Sequence, residues 1–185
     1  MASKENTPDS QSLQAFLVQK GLFMDKWFKC AQNNDLIAIK KPKALTIVEG
    51  RSGVRRINIR NHQIIADSPP EWAGYNLGPS APEIVLGGLG ACISHMFLVV
   101  AGLKNLPINK LEVETSGELD LRKGGIGHEH ETPGLDNIHY TVRIDTKLTD
   151  SELNSLRTEV EKVCPMYNVI KNPQTITSSF VRIDK

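Results

Sequence analysis

Ser80-Ala-Pro-Glu-Ile-Val-Leu-Gly-Gly-Leu-Gly-Ala-Cys-Ile-Ser-His-Met-Phe-Leu-Val-Val-Ala-Gly-Leu103 is the longest apolar stretch of the chain, and no Asp, Glu, Lys or Arg occurs from Ile84 to Leu103. Ser80 stands where a helix would be capped, Pro82 falls in the first turn, and Glu83 meets the positive end of the helix dipole. The spacing predicts a helix to about Asn105. Its length would span a bilayer. However, Gly87, Gly88, Gly90 and Gly102 dilute it, and Ser94 and His95 sit at its centre. Alternating strands follow at once and need a core to pack on. The stretch therefore reads as the buried central helix of a globular domain and not as a membrane span.

Downstream, Lys110–Arg122 and Asn137–Lys147 alternate as strands, with Ile138, Tyr140, Val142 and Ile144 on one face. A Gly-rich loop, 123–133, joins them. Thr149-Asp-Ser-Glu152 is a capping box, and Leu153, Leu156, Val160 and Val163 mark the buried stripe of the helix it opens. Cys164-Pro165 starts a second short helix to about Lys171, and Gln174–Ile183 reads as a closing strand. Upstream, Ser10 or Ser12 caps a helix running to about Asn33, which Gly21 is expected to kink or break. Leu36–Ile39 and Ala44–Val48 read as strands. Glu49-Gly-Arg-Ser-Gly53 turns into Val54–Arg60, and Gln63–Ala66 follows. The Pro- and Gly-rich loop from Asp67 to Ala81 is long enough to suggest a task. Helix, hairpins, central helix, strands, helix pair and strand make an α+β order and argue against a parallel Rossmann sheet. No Gly-rich nucleotide-binding spacing is present.

The chain has 185 residues with a net charge of +1, 39% apolar and 23% charged. That balance gives no electrostatic footprint for nucleic acid or an anionic membrane. Three cysteines are too few for a secreted disulfide scaffold. With no signal-peptide pattern at the N-terminus, a reducing, cytoplasmic setting is expected.

Two cysteines carry the chemistry. Cys92 lies mid-helix in apolar surroundings, which oppose its ionisation. Cys164 stands at the N-cap position of a short helix with Pro165 behind it, where free amides and the dipole should lower its pKa. Should the two meet, one can attack an oxidant and the other resolve the product as a disulfide. His95 shares a helix face with Cys92 and can assist it. His128 and His130 match no standard zinc spacing, so no metal and no organic cofactor are expected. Cys30 reads as packing.

The stretch Gly78–Cys92 resembles the helix signature of the OsmC/Ohr family. So do Cys164-Pro-Met-Tyr-Asn168-Val-Ile, with Leu-Thr-Asp-Ser-Glu-Leu before it, and Pro133-Gly-Leu-Asp-Asn-Ile-His-Tyr140 leading into a strand. The resemblance covers roughly Ala44 to Lys185. It implies residues 41–185 as an OsmC-like domain, with residues 1–40 as an N-terminal helical extension. It also implies an intertwined homodimer, central helices packed between wrapped antiparallel sheets. The activity implied is a peroxidase reducing organic, fatty-acid-type hydroperoxides, with Cys92 peroxidatic and Cys164 resolving. That order reverses the one suggested by the helix-terminus argument. An arginine, Arg51 first and Arg55 second, would stabilise the thiolate, and Glu83 would orient it. An external dithiol of lipoyl or thioredoxin type would reduce the disulfide. The alternative is a module of the same fold that binds a small ligand near Cys92 without turnover.

Overall fold

A computed structural model describes residues 12–182. The elements run α1 (Leu13–Ala31), α2 (Asp35–Ala38), β1 (Leu45–Val48), β2 (Arg55–Ile59), β3 (His62–Ala66), α3 (Ala81–Leu103), β4 (Ile108–Leu119), β5 (Leu135–Thr146), α4 (Asp150–Val163) and α5 (Pro165–Lys171). The architecture is α+β. Two antiparallel sheets form, β1-β2-β3 and β4-β5.

Local signals account for most of these boundaries. Ser12 accepts a hydrogen bond from the Ala15 amide and starts α1. Both capping boxes form: Ser80 with Glu83 opens α3, and Thr149 with Glu152 opens α4. The β4-β5 pair sets Val113 opposite Val142 and Leu111 opposite Ile144, so one face is apolar and half-buried while the other is polar.

Three expectations are corrected. Leu36–Ile39 is not a strand. Asn34 caps a single helical turn there, its Oδ1 accepting from the amides of Leu36 and Ile37 at 3.1 and 3.3 Å. That local cap outweighs the β-type side chains, which have no neighbouring strand to join. Gly21 does not break α1. It lets α1 lie against α3, since a Cβ at Gly21 would stand 2.1 Å from the Gly102 carbonyl oxygen. Gln174–Arg182 forms no strand, and residue 183 of that expected strand lies outside the described residues. Its apolar residues Ile176, Phe180 and Val181 are fully or almost fully exposed. A strand exists only as one side of a ladder, and this segment has no partner strand among the described residues.

The core is assembled around α3. Leu89, Ile93, Phe97, Val100 and Ala101 of α3 pack with Leu17 of α1, Ile108 of β4, and Leu156, Val160 and Cys164 from α4 and its end. Thus the apolar helix is the centre of a folded core, in contact with α1, β4, α4 and α5. Its outer face is not covered, however: Val85, Gly88, Ala91 and His95 are exposed. The β1-β2-β3 sheet makes no more than glancing contact with any other element.

Candidate active site

Cys92 is half-buried on α3 and Cys164 is fully buried at the elbow between α4 and α5; neither is in a disulfide. The two thiols belong to one packed cluster, close enough for Cys92 to perturb the titration of Cys164. Two residues far apart in sequence are thus brought into one cluster by the packing of α4 and α5 on α3.

Cys164 occupies the cap position of α5 with Pro165 behind it, as its sequence suggests. Its expected acidity is corrected. Burial pushes the thiol pKa up. The amides of Tyr167 and Met166 oppose this, while the neighbouring Cys92 thiol reinforces it. A seven-residue helix offers two amides, and removal from water outweighs them.

Glu83 sits about 13.5 Å along the axis from Cys92, at 1.5 Å per residue. Its carboxylate accepts from the Ser80 amide and hydroxyl, both at 2.7 Å, and these bonds hold its pKa below the usual carboxylate range. Arg51 is exposed in the turn between β1 and β2. Arg55 lines a cavity of about 290 Å³ with Ser80, Ala81 and Pro82 at the start of α3, Trp72 closing one side. Within one chain, therefore, Cys92 groups with Cys164, while Arg55 lines the cavity at the start of α3 and Glu83 is engaged by Ser80 in the first turn of that helix. His95 is exposed one turn beyond Cys92, and local burial followed by Lys20 lowers its pKa. His128 Nδ1 lies 2.5 Å from Glu131 Oε1. No cluster of three metal-ligating side chains occurs among the described residues.

Three features escape sequence reasoning. A cleft of about 720 Å³, which neither cysteine lines, opens between Leu89, Ile138, Tyr140, Tyr167 and Ile170, with Arg157, Glu161 and Lys171 also on its wall. Leu89 is one turn before Cys92, and Tyr167 is three residues after Cys164. The Tyr140 hydroxyl donates to Glu161, and its ring meets that of Tyr167 edge-on at 6.4 Å. The cleft is a product of β5, α4 and α5 together, so no local pattern announces it. Second, the side-chain amide of Asn168 donates to the carbonyls of Cys164, Glu161 and Lys162 at 2.8, 3.1 and 3.2 Å.

The third is Asp67, which is fully buried and organises the long loop before α3. Oδ1 accepts from the Ser68 amide at 2.8 Å, and Oδ2 from Tyr75 and Leu77 at 2.9 and 3.2 Å. Burial raises its pKa, but those bonds and the charge of Arg55 together bring it below the usual value. Gly74 belongs to the same knot, because a Cβ there would meet the Ser68 carbonyl oxygen at 1.8 Å.

Comparison with known proteins places this architecture. Residues 74–179 match the family of OsmC-like proteins. No curated protein matches the chain. Among solved structures, an OsmC-like protein from Mycoplasma pneumoniae superposes with a TM-score of 0.63 at 22% identity, covering 71% of this chain and 88% of its own. An organic hydroperoxide resistance protein OsmC from Legionella pneumophila gives 0.58 at 17%, covering 72% and 90%. An organic hydroperoxide resistance protein from Elizabethkingia anophelis gives 0.57 at 18%, covering 72% and 89%. These likenesses confirm the fold, and since the family match spans more than half of its residues, the chain belongs to the OsmC-like proteins.

Proposed function

We propose that the chain is a thiol peroxidase that reduces organic hydroperoxides through Cys92 and Cys164. The packing of the two cysteines into one cluster, Cys92 against the buried Cys164, is the observation that carries this reading. Cys92, the more accessible sulfur, attacks one peroxide oxygen. The S–O bond forms as the O–O bond breaks, and the alkoxide leaves and takes up a proton to become an alcohol. Cys164 then attacks the sulfur of the Cys92 sulfenic acid, forming the disulfide and releasing water. An external dithiol, lipoyl- or thioredoxin-type, exchanges with the disulfide and is itself oxidised. The cleft beside Leu89 and Tyr167, which pairs apolar walls with Arg157 and Lys171, suits an amphiphilic, fatty-acid-type peroxide better than hydrogen peroxide.

The working unit in this reading is an intertwined homodimer. The β1-β2-β3 sheet lacks a core of its own, and the outer face of α3 lacks cover. Exchange between two copies would supply both. The same exchange would lay Arg51 and Arg55 against the other copy, where one of them stabilises the Cys92 thiolate while Glu83 orients it.

The test is one equivalent of an organic hydroperoxide on the reduced protein, followed by thiol titration. Disulfide formation is expected. Cys92→Ser should abolish peroxide consumption. Cys164→Ser should still permit one oxidation, leaving a sulfenic acid that dimedone traps, and Cys30→Ser should change little. Trappable sulfenic acid in Cys92→Ser but not in Cys164→Ser would reverse the roles. No thiol loss in the wild type would leave a ligand-binding module of the same fold.

A further inference from the structure

The α4–α5 elbow that carries Cys164 is held by one side chain. Helix α4 ends at Val163, and the carbonyls of its last turn have no partners within the helix. Val160 O is taken by the Cys164 amide at 2.8 Å. Glu161 O and Lys162 O both go to Asn168 Nδ2, which also reaches Cys164 O. Two N–H hydrogens thus serve three carbonyls, one from the elbow residue itself. The Asn168 backbone amide adds a second bond to Cys164 O at 3.1 Å.

The two helices differ in how firmly they are fixed. Leu156 and Val160 bury α4 in the core, and Glu161 binds it to Tyr140 of β5. Helix α5 has no fully buried residue, and a seven-residue helix is too short to persist alone. Pro165 supplies no amide and cannot continue α4. What keeps α5 folded back on α4, and Cys164 in the cluster with Cys92, is partial packing of Met166, Tyr167 and Ile170 together with the Asn168 amide.

We infer that Asn168 is a positioning residue for disulfide formation: its side-chain amide latches the α4–α5 elbow and keeps Cys164 within attacking distance of an oxidised Cys92. This rests on the thiol peroxidase reading. Asn168 touches neither sulfur's reaction partner and plays no part in the first oxidation, which is chemistry of Cys92 and the peroxide alone. Its effect falls on the second step, where the S–S bond forms and water leaves. A displacement of about 1 Å can cost on the order of 100-fold in such a step.

Reduced wild type, Asn168→Ala and the isosteric, donor-poor Asn168→Asp are each mixed with tert-butyl hydroperoxide in the presence of dimedone. Two quantities are read: the rate of Cys92 oxidation, and the partition of oxidised Cys92 between dimedone adduct and disulfide. The first rate should stay within about twofold of wild type. Disulfide formation should slow by about 10- to 100-fold, shifting the partition to the adduct and, without dimedone, to the sulfinic acid. A merely structural cap would lower the melting temperature without moving the partition, and that result overturns the inference. Should both variants fail to fold, Asn168→Gln decides. It keeps the amide one methylene out of place, so an intermediate partition supports the latch and a wild-type partition overturns it. A wild type that forms neither adduct nor disulfide would sink the peroxidase reading, whatever the variants do.

Discussion

The helical half and the three-stranded sheet are built from similar residues and fare differently in one chain. Around α3, side chains from α1, β4, α4 and α5 close on Ile93 and Phe97 until they are almost fully buried. In β1-β2-β3 the hydrogen-bond ladders are complete, yet Leu45, Val48, Ile64 and Ile65 remain substantially exposed. Backbone pairing alone gives a sheet its shape; burial of a face gives it stability, and a small isolated sheet has little of that. The contrast shows which part of the fold is self-sufficient and which awaits a second surface.

Ile93→Ala tests the self-sufficient half and should have the largest effect. The side chain is 1% exposed, and its loss should cost about 2–5 kcal/mol, read as a lowered denaturant midpoint. Ile65→Ala probes the sheet. At 39% exposure, a sheet standing alone would lose under about 1 kcal/mol, whereas a sheet covered by a second copy would lose about 2–3 kcal/mol. The larger value is expected, with a melting temperature that rises with protein concentration. A small, concentration-independent loss would break the comparison.

Alkylation compares the cysteines themselves. Cys30 is exposed and not the packing residue its sequence setting suggests, so at neutral pH iodoacetamide should label Cys30 and Cys92 well before Cys164, whose thiol is buried and has its pKa raised. Equal labelling by peptide mapping would mean that the elbow opens freely.

The loop between the two halves gives a pH test. Asp67 has a folded pKa lowered from 3.8. A lowered carboxylate pKa stabilises the fold at pH above the unfolded value, and that contribution is lost as pH falls through the folded value. Asp67→Asn should therefore lower the melting temperature at neutral pH, with the gap to wild type narrowing below about pH 4. A gap that stays constant with pH would remove the charge from the explanation. The smallest effect is expected from Asn34→Ala, which removes the cap of an exposed helical turn and should cost about 0.5–1 kcal/mol, visible as faster amide exchange at Leu36 and Ile37.

What could be read from sequence follows the range of each interaction. Ser80/Glu83 and Thr149/Glu152 act within three residues, and the alternation of β4 and β5 is local, so these elements were legible. The α3 signal was legible because its composition leaves it few places other than a core. Leu36–Ile39 has β-type side chains but follows Asn34, whose side chain caps a helical turn there, and a short-range cap outweighs residue preference. Gly21 misled because a glycine that permits a helix–helix approach looks, in one dimension, like a glycine that ends a helix. The cysteine pair was legible as two motifs, but its meeting depends on how α4 and α5 pack on α3. The roles of Asp67 and Asn168 and the existence of the cleft depend on contacts that no residue type specifies. The acidity expected of Cys164 failed for the same reason: burial is a property of the assembled core.

The approach of Gly21 to Gly102 has a practical consequence for anyone shortening the protein. The family match begins only at residue 74, so the N-terminal helix invites removal as an appendage. Yet α1 supplies Leu17 to the core, and its Gln14 Oε1 accepts from the buried Ile108 amide at 3.1 Å. Trimming it away would leave an unpaired amide at the root of β4 and a bare groove along the end of α3, so a crystallisable fragment should keep Ser12 and everything after it.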